Sequence, residues 1–156
     1  MSLTAPLIKF GITATEVLAD ESLATSARSV QHTAFDESVT PDPATIISLD
    51  LYTLATGAAT IDLRALYTVA GGTADGNGLK VQAFYFKNLG ANIMTITEGG
   101  SNPYEIFGAS GSVVVQPGGG FSMDFQDASP DIGASDKEID IAGTGSQTFE
   151  AGFILG

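Results

Sequence analysis

The single histidine, His32, is where a search for hydrolytic chemistry in this 156-residue chain must begin. A serine–histidine–carboxylate system needs it as general base, with the nucleophile carried on a sharp strand-to-helix turn. No Gly-x-Ser-x-Gly sequence is present; Gly108-Ala109-Ser110-Gly111 approaches it in composition only. His32 lies between Gln31 and Thr33 in a stretch that reads as a strand, so a structural or surface role is the simpler reading. The chain has no cysteine, which excludes thiolate zinc sites and cysteine nucleophiles. The glycine runs Gly71-Gly72 and Gly118-Gly119-Gly120 lack the Gly-Lys-Ser/Thr element of a phosphate loop and read as turns.

Carboxylates are the plentiful reactive groups, 18 against only 6 lysines and arginines. Glu98 and Glu105 flank a loop holding Asn102 and Tyr104, a spacing open to acid–base work on a glycosidic bond. Carbohydrate sites lean on aromatic platforms, and this chain has no tryptophan and four tyrosines. For a hard cation, Asp124, Asp127 and Asp131 approach one loop, and Asp136, Glu138 and Asp140 alternate along one strand. Calcium needs several oxygens converging on one point. Carboxylates at spacing two on a strand usually splay into water instead. We therefore assign no catalytic residue, no cofactor and no metal ligand from the sequence.

The elements that would carry these residues are strands. From residue 28 onward the hydrophobic period is close to two. Thr45 to Leu54 sets Ile47, Leu49 and Leu51 against Ser48, Asp50 and Tyr52. Leu79 to Lys87 has apolar residues on both faces and reads as a central strand. Phe121, Met123 and Phe125 alternate with Ser122, Asp124 and Gln126. Alternation of this kind marks strands with one buried and one wet face. Glycine, proline and asparagine clusters punctuate them at Gly71–Gly78, Leu89–Asn92, Gly99–Pro103 and Pro117–Gly120. Roughly eight or nine short strands without a long helix predict an all-β single β-sandwich, jelly-roll-like in arrangement. The expected core is Leu49, Leu51, Leu63, Val81, Phe84, Phe86, Ile96, Val114, Phe121, Met123, Phe125, Phe149 and Phe153.

Residues 1–24 read as an N-terminal arm ahead of a sandwich domain at 25–156. Thr13 and Glu16 have capping-box spacing, so a short helix over Thr13 to Ala27 is the alternative to an extended arm. Leu3, Leu7, Ile8, Phe10 and Ile12 would leave an uncovered arm prone to aggregate, which makes them candidate partner-binding residues. The formal net charge of −12, with the basic residues scattered singly, argues against nucleic acid and anionic membrane as partners. Residues 1–10 lack the basic start and apolar run of a signal peptide, and no stretch predicts a membrane span.

Several segments of the second half resemble small structural proteins of tailed-phage virions. They are Leu79-Lys-Val-Gln-Ala-Phe-Tyr-Phe-Lys-Asn88, Met94-Thr-Ile-Thr-Glu-Gly-Gly-Ser-Asn-Pro103, Val115-Gln-Pro-Gly-Gly119 and Ala151-Gly-Phe-Ile-Leu-Gly156. The likeness covers residues 25–156 and consists of turn and core motifs, so it carries no functional residue across. It implies a non-enzymatic capsid decoration, cement or head-fibre protein, made in the host cytoplasm and placed on the virion surface. Its partners would be the major capsid protein and itself, as a homotrimer. The competing expectation is a receptor- or glycan-binding module of a tail fibre or adhesin. A third is a calcium-dependent binding domain.

Overall fold

The computed structural model describes residues 8–18, 28–39, 44–68 and 71–156. The chain divides into two units, Pro6–Thr40 and a larger one beginning at Pro41 and running to Gly156. Each is described by itself.

The smaller unit is an antiparallel ribbon of β1 (Ile8–Leu18) and β2 (Arg28–Val39). Ile8 pairs with Val39, Phe10 with Glu37 and Ile12 with Phe35, and the register breaks between Ile12 and Thr13. Thr13 to Leu18 is therefore strand rather than the start of a helix. The β-branched Ile12, Thr13, Thr15 and Val17 favour a pleated backbone, and that outweighs one capping-box pair. Arg28–Val39 is the second strand of this ribbon.

The larger unit contains β3 (Ile46–Thr53), β4 (Ala58–Asp62), β5 (Leu66–Tyr67), β6 (Thr73–Ala74), β7 (Val81–Asn88), β8 (Met94–Glu98), β9 (Ser112–Val115), β10 (Gly120–Asp124), β11 (Glu138–Ala142) and β12 (Thr148–Leu155). One sheet runs β10-β7-β12-β3 and the other β4-β11-β8-β9, with all pairs antiparallel. β3 pairs with β12, β4 with β11, β7 with β10 and β8 with β9, first with last and inward. The segment is thus one long antiparallel hairpin wrapped on itself, which is the jelly-roll arrangement of a β-sandwich. β5 and β6 form a small separate ladder.

Phenylalanine rings fill the space between the sheets. Phe84 stacks on Phe153 at 4.9 Å, and Phe86 stacks on Phe149 at 5.1 Å. Phe121 meets Phe84 edge-on at 5.5 Å. Leu63, Val81, Phe84, Phe86, Ile96, Phe149 and Phe153 are buried as expected, and Phe121 and Phe125 are partly buried against them.

Leu49, Leu51, Val114 and Met123 are not core residues; they are 55%, 59%, 58% and 37% exposed. The alternation around them is right, but the parity is set by their partners. On β12 the inward residues are Phe149, Ala151 and Phe153, and these pair with Tyr52, Asp50 and Ser48. Directly opposed residues share a face, so Leu49 and Leu51 point outward. On β9, Val113 and Val115 oppose the buried Ile96 and Met94, which turns Val114 out. Met123 has the inward parity of its partner Phe84 but sits on the edge strand β10.

Candidate assembly surface

β3 is the edge of its sheet. The Leu54 N–H donates to the Gln147 carbonyl at 2.8 Å, which sets the phase of the β3–β12 ladder. In an antiparallel pair the bonding direction alternates residue by residue. Ser48, Asp50 and Tyr52 therefore turn their backbone groups toward β12, and Ile47, Leu49, Leu51 and Thr53 turn theirs toward the open edge. One of these edge N–H groups has a local partner, since Leu51 donates to Asp50 Oδ1 at 2.8 Å.

The outer face beside this edge carries an apolar row, with Glu150 opposite Leu51. Leu49 lies across Gly152, where an added Cβ would come within 3.1 Å of Leu49 Cδ1, and Gly152 is opposite Tyr85 on the next strand. The pair Ile47 and Ile154 continues the patch in the adjacent row. The Tyr85 hydroxyl donates to Glu150 Oε2 at 3.2 Å. Burial first, and then that carboxylate, hold the Tyr85 pKa above its ordinary value. On the inner side of β3, Tyr52 stacks on Phe149 at 5.2 Å, and burial together with Asp50 pushes its pKa up to about 12.

Of the candidate partner-binding residues, Ile8, Phe10 and Ile12 lie on β1. Leu3 and Leu7 fall outside the described residues. His32 is on β2 opposite Ala14.

The loops past β8 form a cavity of about 410 Å³ lined by Thr97, Glu98, Gly99, Gly100, Pro103, Ser110 and Gly111. Glu98 pairs with the buried Ile139, so it occupies an inward position at the end of its strand. Its Oε1 accepts the Ser110 N–H at 3.1 Å, and its Oε2 is buried with no protein partner. Glu105 is exposed and lies outside the cavity lining, so the two glutamates do not make an acid–base pair across it. Tyr104, which would have been the sugar platform, is fully buried in the core.

The acidic positions do not converge either. Asp140 accepts the Thr60 hydroxyl at 2.5 Å and the Gly100 N–H at 2.9 Å. Glu138 accepts Asn102 at 2.9 Å, and Asp136 accepts the Ser135 hydroxyl at 2.9 Å. Lys80 reaches the Asp127 carbonyl at 3.1 Å and the Asp131 carboxylate at 3.9 Å. Among the described residues no three histidines, cysteines or carboxylates are grouped to hold a metal ion. The strand carboxylates serve instead as acceptors that tie down their own loops.

Sequence reasoning missed Tyr104, Ile106 and Ile132 as core members, because they come from loops without periodicity. Tyr104 could have been suspected from Pro103 and Ile106 beside it, an apolar cluster inside a glycine-rich loop.

No family model matches the sequence, and no curated protein matches it. Solved structures that resemble it include one described as "Bacillus endospore appendages form a novel family of disulfide-linked pili". It is 22% identical over 72% of this chain and 87% of that one, with a TM-score of 0.41. Another is PirA, 16% identical over 68% of this chain and 92% of that one, with a TM-score of 0.39. Neither likeness is close enough to assign a role.

Proposed function

We propose that this chain is a non-enzymatic structural subunit that associates through its exposed β surfaces and decorates the outside of a tailed-phage capsid. The observation that carries the assembly part is the row of Leu49 and Leu51, more than half exposed beside an open strand edge. Covering each of them is worth roughly 1–2 kcal/mol at that exposure. Association costs on the order of 4–15 kcal/mol in lost freedom, so two leucines alone do not hold a complex. The neighbouring Ile47 and Ile154 and the edge backbone groups must take part. The chain's charge of −12 opposes close approach and keeps a coated particle dispersed.

The capsid part is supported by the virion-like motifs Leu79–Asn88, Met94–Pro103, Val115–Gly119 and Ala151–Gly156. In that role the partners are the major capsid protein and further copies of this chain, arranged as a trimer at a symmetry axis. Sedimentation velocity over a wide concentration range tests the first part: a trimer is expected, and a monomer throughout would overturn it. Incubating the purified chain with capsids tests the second: saturable binding at hundreds of copies per particle is expected. Capsids that pellet without it would remove the capsid assignment and leave self-assembly standing.

A further inference from the structure

We propose that Asn77 is a deamidation site whose reaction is held back by the fold, and that its product frees the loop before β7 from the core. The Asn77–Gly78 pair carries the chemistry. The Gly78 nitrogen gives up its proton to hydroxide and attacks Cγ of Asn77. The new C–N bond closes a cyclic imide as the Cγ–Nδ2 bond breaks and ammonia leaves. Water then opens the ring at either carbonyl, leaving aspartate or the backbone-shifted isoaspartate.

The chain has four asparagines, and their surroundings single out one of them. Asn77 and Gly78 are both exposed. Gly78 has no side chain to crowd the attacking nitrogen, and a Cβ added there would meet nothing within 4 Å. Asn88 is fully buried, its Nδ2 donates to the Asn92 and Val115 carbonyls, and Leu89 follows it. Asn92 precedes the β-branched Ile93, whose side chain crowds the nitrogen. Asn102 precedes Pro103, which has no N–H to lose, and its own Nδ2 donates to Glu138.

Folding opposes the reaction at the nitrogen itself. The Gly78 N–H donates to the Ile132 carbonyl at 2.8 Å, and the Ile132 N–H donates to the Leu79 carbonyl at 2.7 Å. The nitrogen must leave this pairing before it can lose its proton and turn toward Asn77 Cγ. The start of the loop is pinned as well. Arg64 holds Asp75 through Nε at 2.9 Å and Nη2 at 3.0 Å, and Asp75 Oδ1 accepts the Asn77 N–H at 3.0 Å. Gly76 is packed so closely that an added Cβ would fall 2.6 Å from the Leu63 carbonyl oxygen and 2.8 Å from Leu155 Cδ1. A segment fixed at Asp75, Gly76 and Gly78 leaves Asn77 little freedom to close the ring.

The product undoes this arrangement. Isoaspartate puts one extra methylene into the backbone between Gly76 and Gly78. The two glycines then cannot both keep their places, and the buried Ile132 loses the partner of its carbonyl.

Peptide mapping follows the reaction, because trypsin releases residues 65–80 with Asn77 apart from residues 88–137 with the other three asparagines. The full chain is kept at mildly alkaline pH, folded or in urea, and digested at intervals. The expected result is conversion of amide to acid in 65–80, with isoaspartate detected by its methyltransferase, while 88–137 stays unchanged. Unfolding in urea should speed the reaction about tenfold or more, the gain being set by how rarely the loop opens in the folded chain. Arg64→Gln, whose fragment becomes 29–80, should raise the folded rate severalfold and leave the urea rate alone. Conversion first in 88–137, or none in 65–80 in either state, would overturn the site. Equal rates in the folded chain and in urea would overturn the gate, and an Arg64→Gln chain that reacts no faster than the parent removes Asp75 from it. The isoaspartyl chain, separated by ion exchange, should unfold at a lower urea midpoint than the fresh chain. Asn77→Asp carries the same charge on a normal backbone and should keep the fresh chain's midpoint. An isoaspartyl chain as stable as Asn77→Asp would show that the product leaves the loop in place, against the proposal.

Discussion

The hydroxyl of Tyr104 donates a hydrogen bond to the carbonyl oxygen of Pro130 over 2.7 Å. The phenolic oxygen of Tyr104 in turn accepts the Val81 N–H over 3.2 Å, so one phenol ties the loop after β8, the loop before β11 and the start of β7 together. All of this happens beneath a fully buried ring. Tyr104→Phe keeps the ring and takes the hydroxyl from a part-buried carbonyl and from a buried N–H. Each such group costs about 1–3 kcal/mol. Urea unfolding should show a stability loss of about that size, with a lower midpoint and an unchanged slope.

Phe84 touches Phe86, Phe107, Phe121 and Phe153, making it the hub of the aromatic core. Phe84→Ala should cost about 3–5 kcal/mol, since neighbours on β7, β10, β12 and the loop after β8 cannot all collapse into the space. Leu49→Ser, on the outer face, should change the stability of the isolated chain by no more than about 0.5 kcal/mol. Denaturant midpoints for the two variants check the assignment of inside and outside directly.

The contrast between those two residues shows how far the fold can be read from residues alone. Alternation located β7, β10 and β12 and the turns between them, and strand number with turn spacing pointed to a jelly roll. Parity was legible where one set of alternating residues was clearly polar, as on β11, with Ile139 and Ile141 inward. On β3 both sets carry bulky side chains, Ile46 and Tyr52 against Ile47, Leu49 and Leu51. The decision there belongs to Phe149 and Phe153, about a hundred residues away, and no local pattern contains it. The same long-range pairing puts Leu49 and Leu51 on the outer face beside the open edge, where local alternation alone points them inward. The apolar spacing of Ile8, Phe10 and Ile12 is local and visible in the sequence, and all three lie on β1.

Alkaline pH provides a test of the buried phenols. A tyrosine in the unfolded chain ionises near pH 10. Tyr52 is pushed up to about 12, chiefly by burial and then by Asp50, and burial raises Tyr104 as well. A raised folded-state pKa means the folded protein holds its proton longer than the unfolded chain does. Their contribution is therefore complete below about pH 10 and is lost as pH rises through the folded-state values. The melting temperature should fall steeply between about pH 10 and 12, and Tyr52→Phe should make that fall shallower. Absorbance of the phenolate near the unfolding transition would check that ionisation and melting are linked.

Asp62 and Glu138 stand directly opposite each other on β4 and β11, an arrangement that repulsion should disfavour. Lys137 resolves it. Its Nζ lies 2.5 Å from Asp62 Oδ2 and 3.8 Å from Glu138 Oε1, and all three side chains are more than half covered. The hydrogen bond to Asp62 is the main reason the lysine pKa stands above its ordinary value. Lys137 thus turns a like-charge pair into a three-membered network in a chain with few cations. Lys137→Gln removes the cation, keeps most of the stem length, and leaves the two carboxylates facing each other. The variant should melt at a lower temperature, and its deficit should shrink as salt is raised, because salt screens repulsion between partly exposed charges. Adding Glu138→Gln to it removes the repulsion at its source and should recover part of the loss at low salt. A deficit that is independent of salt and untouched by Glu138→Gln would mean that Lys137 acts through the packing of its stem rather than its charge.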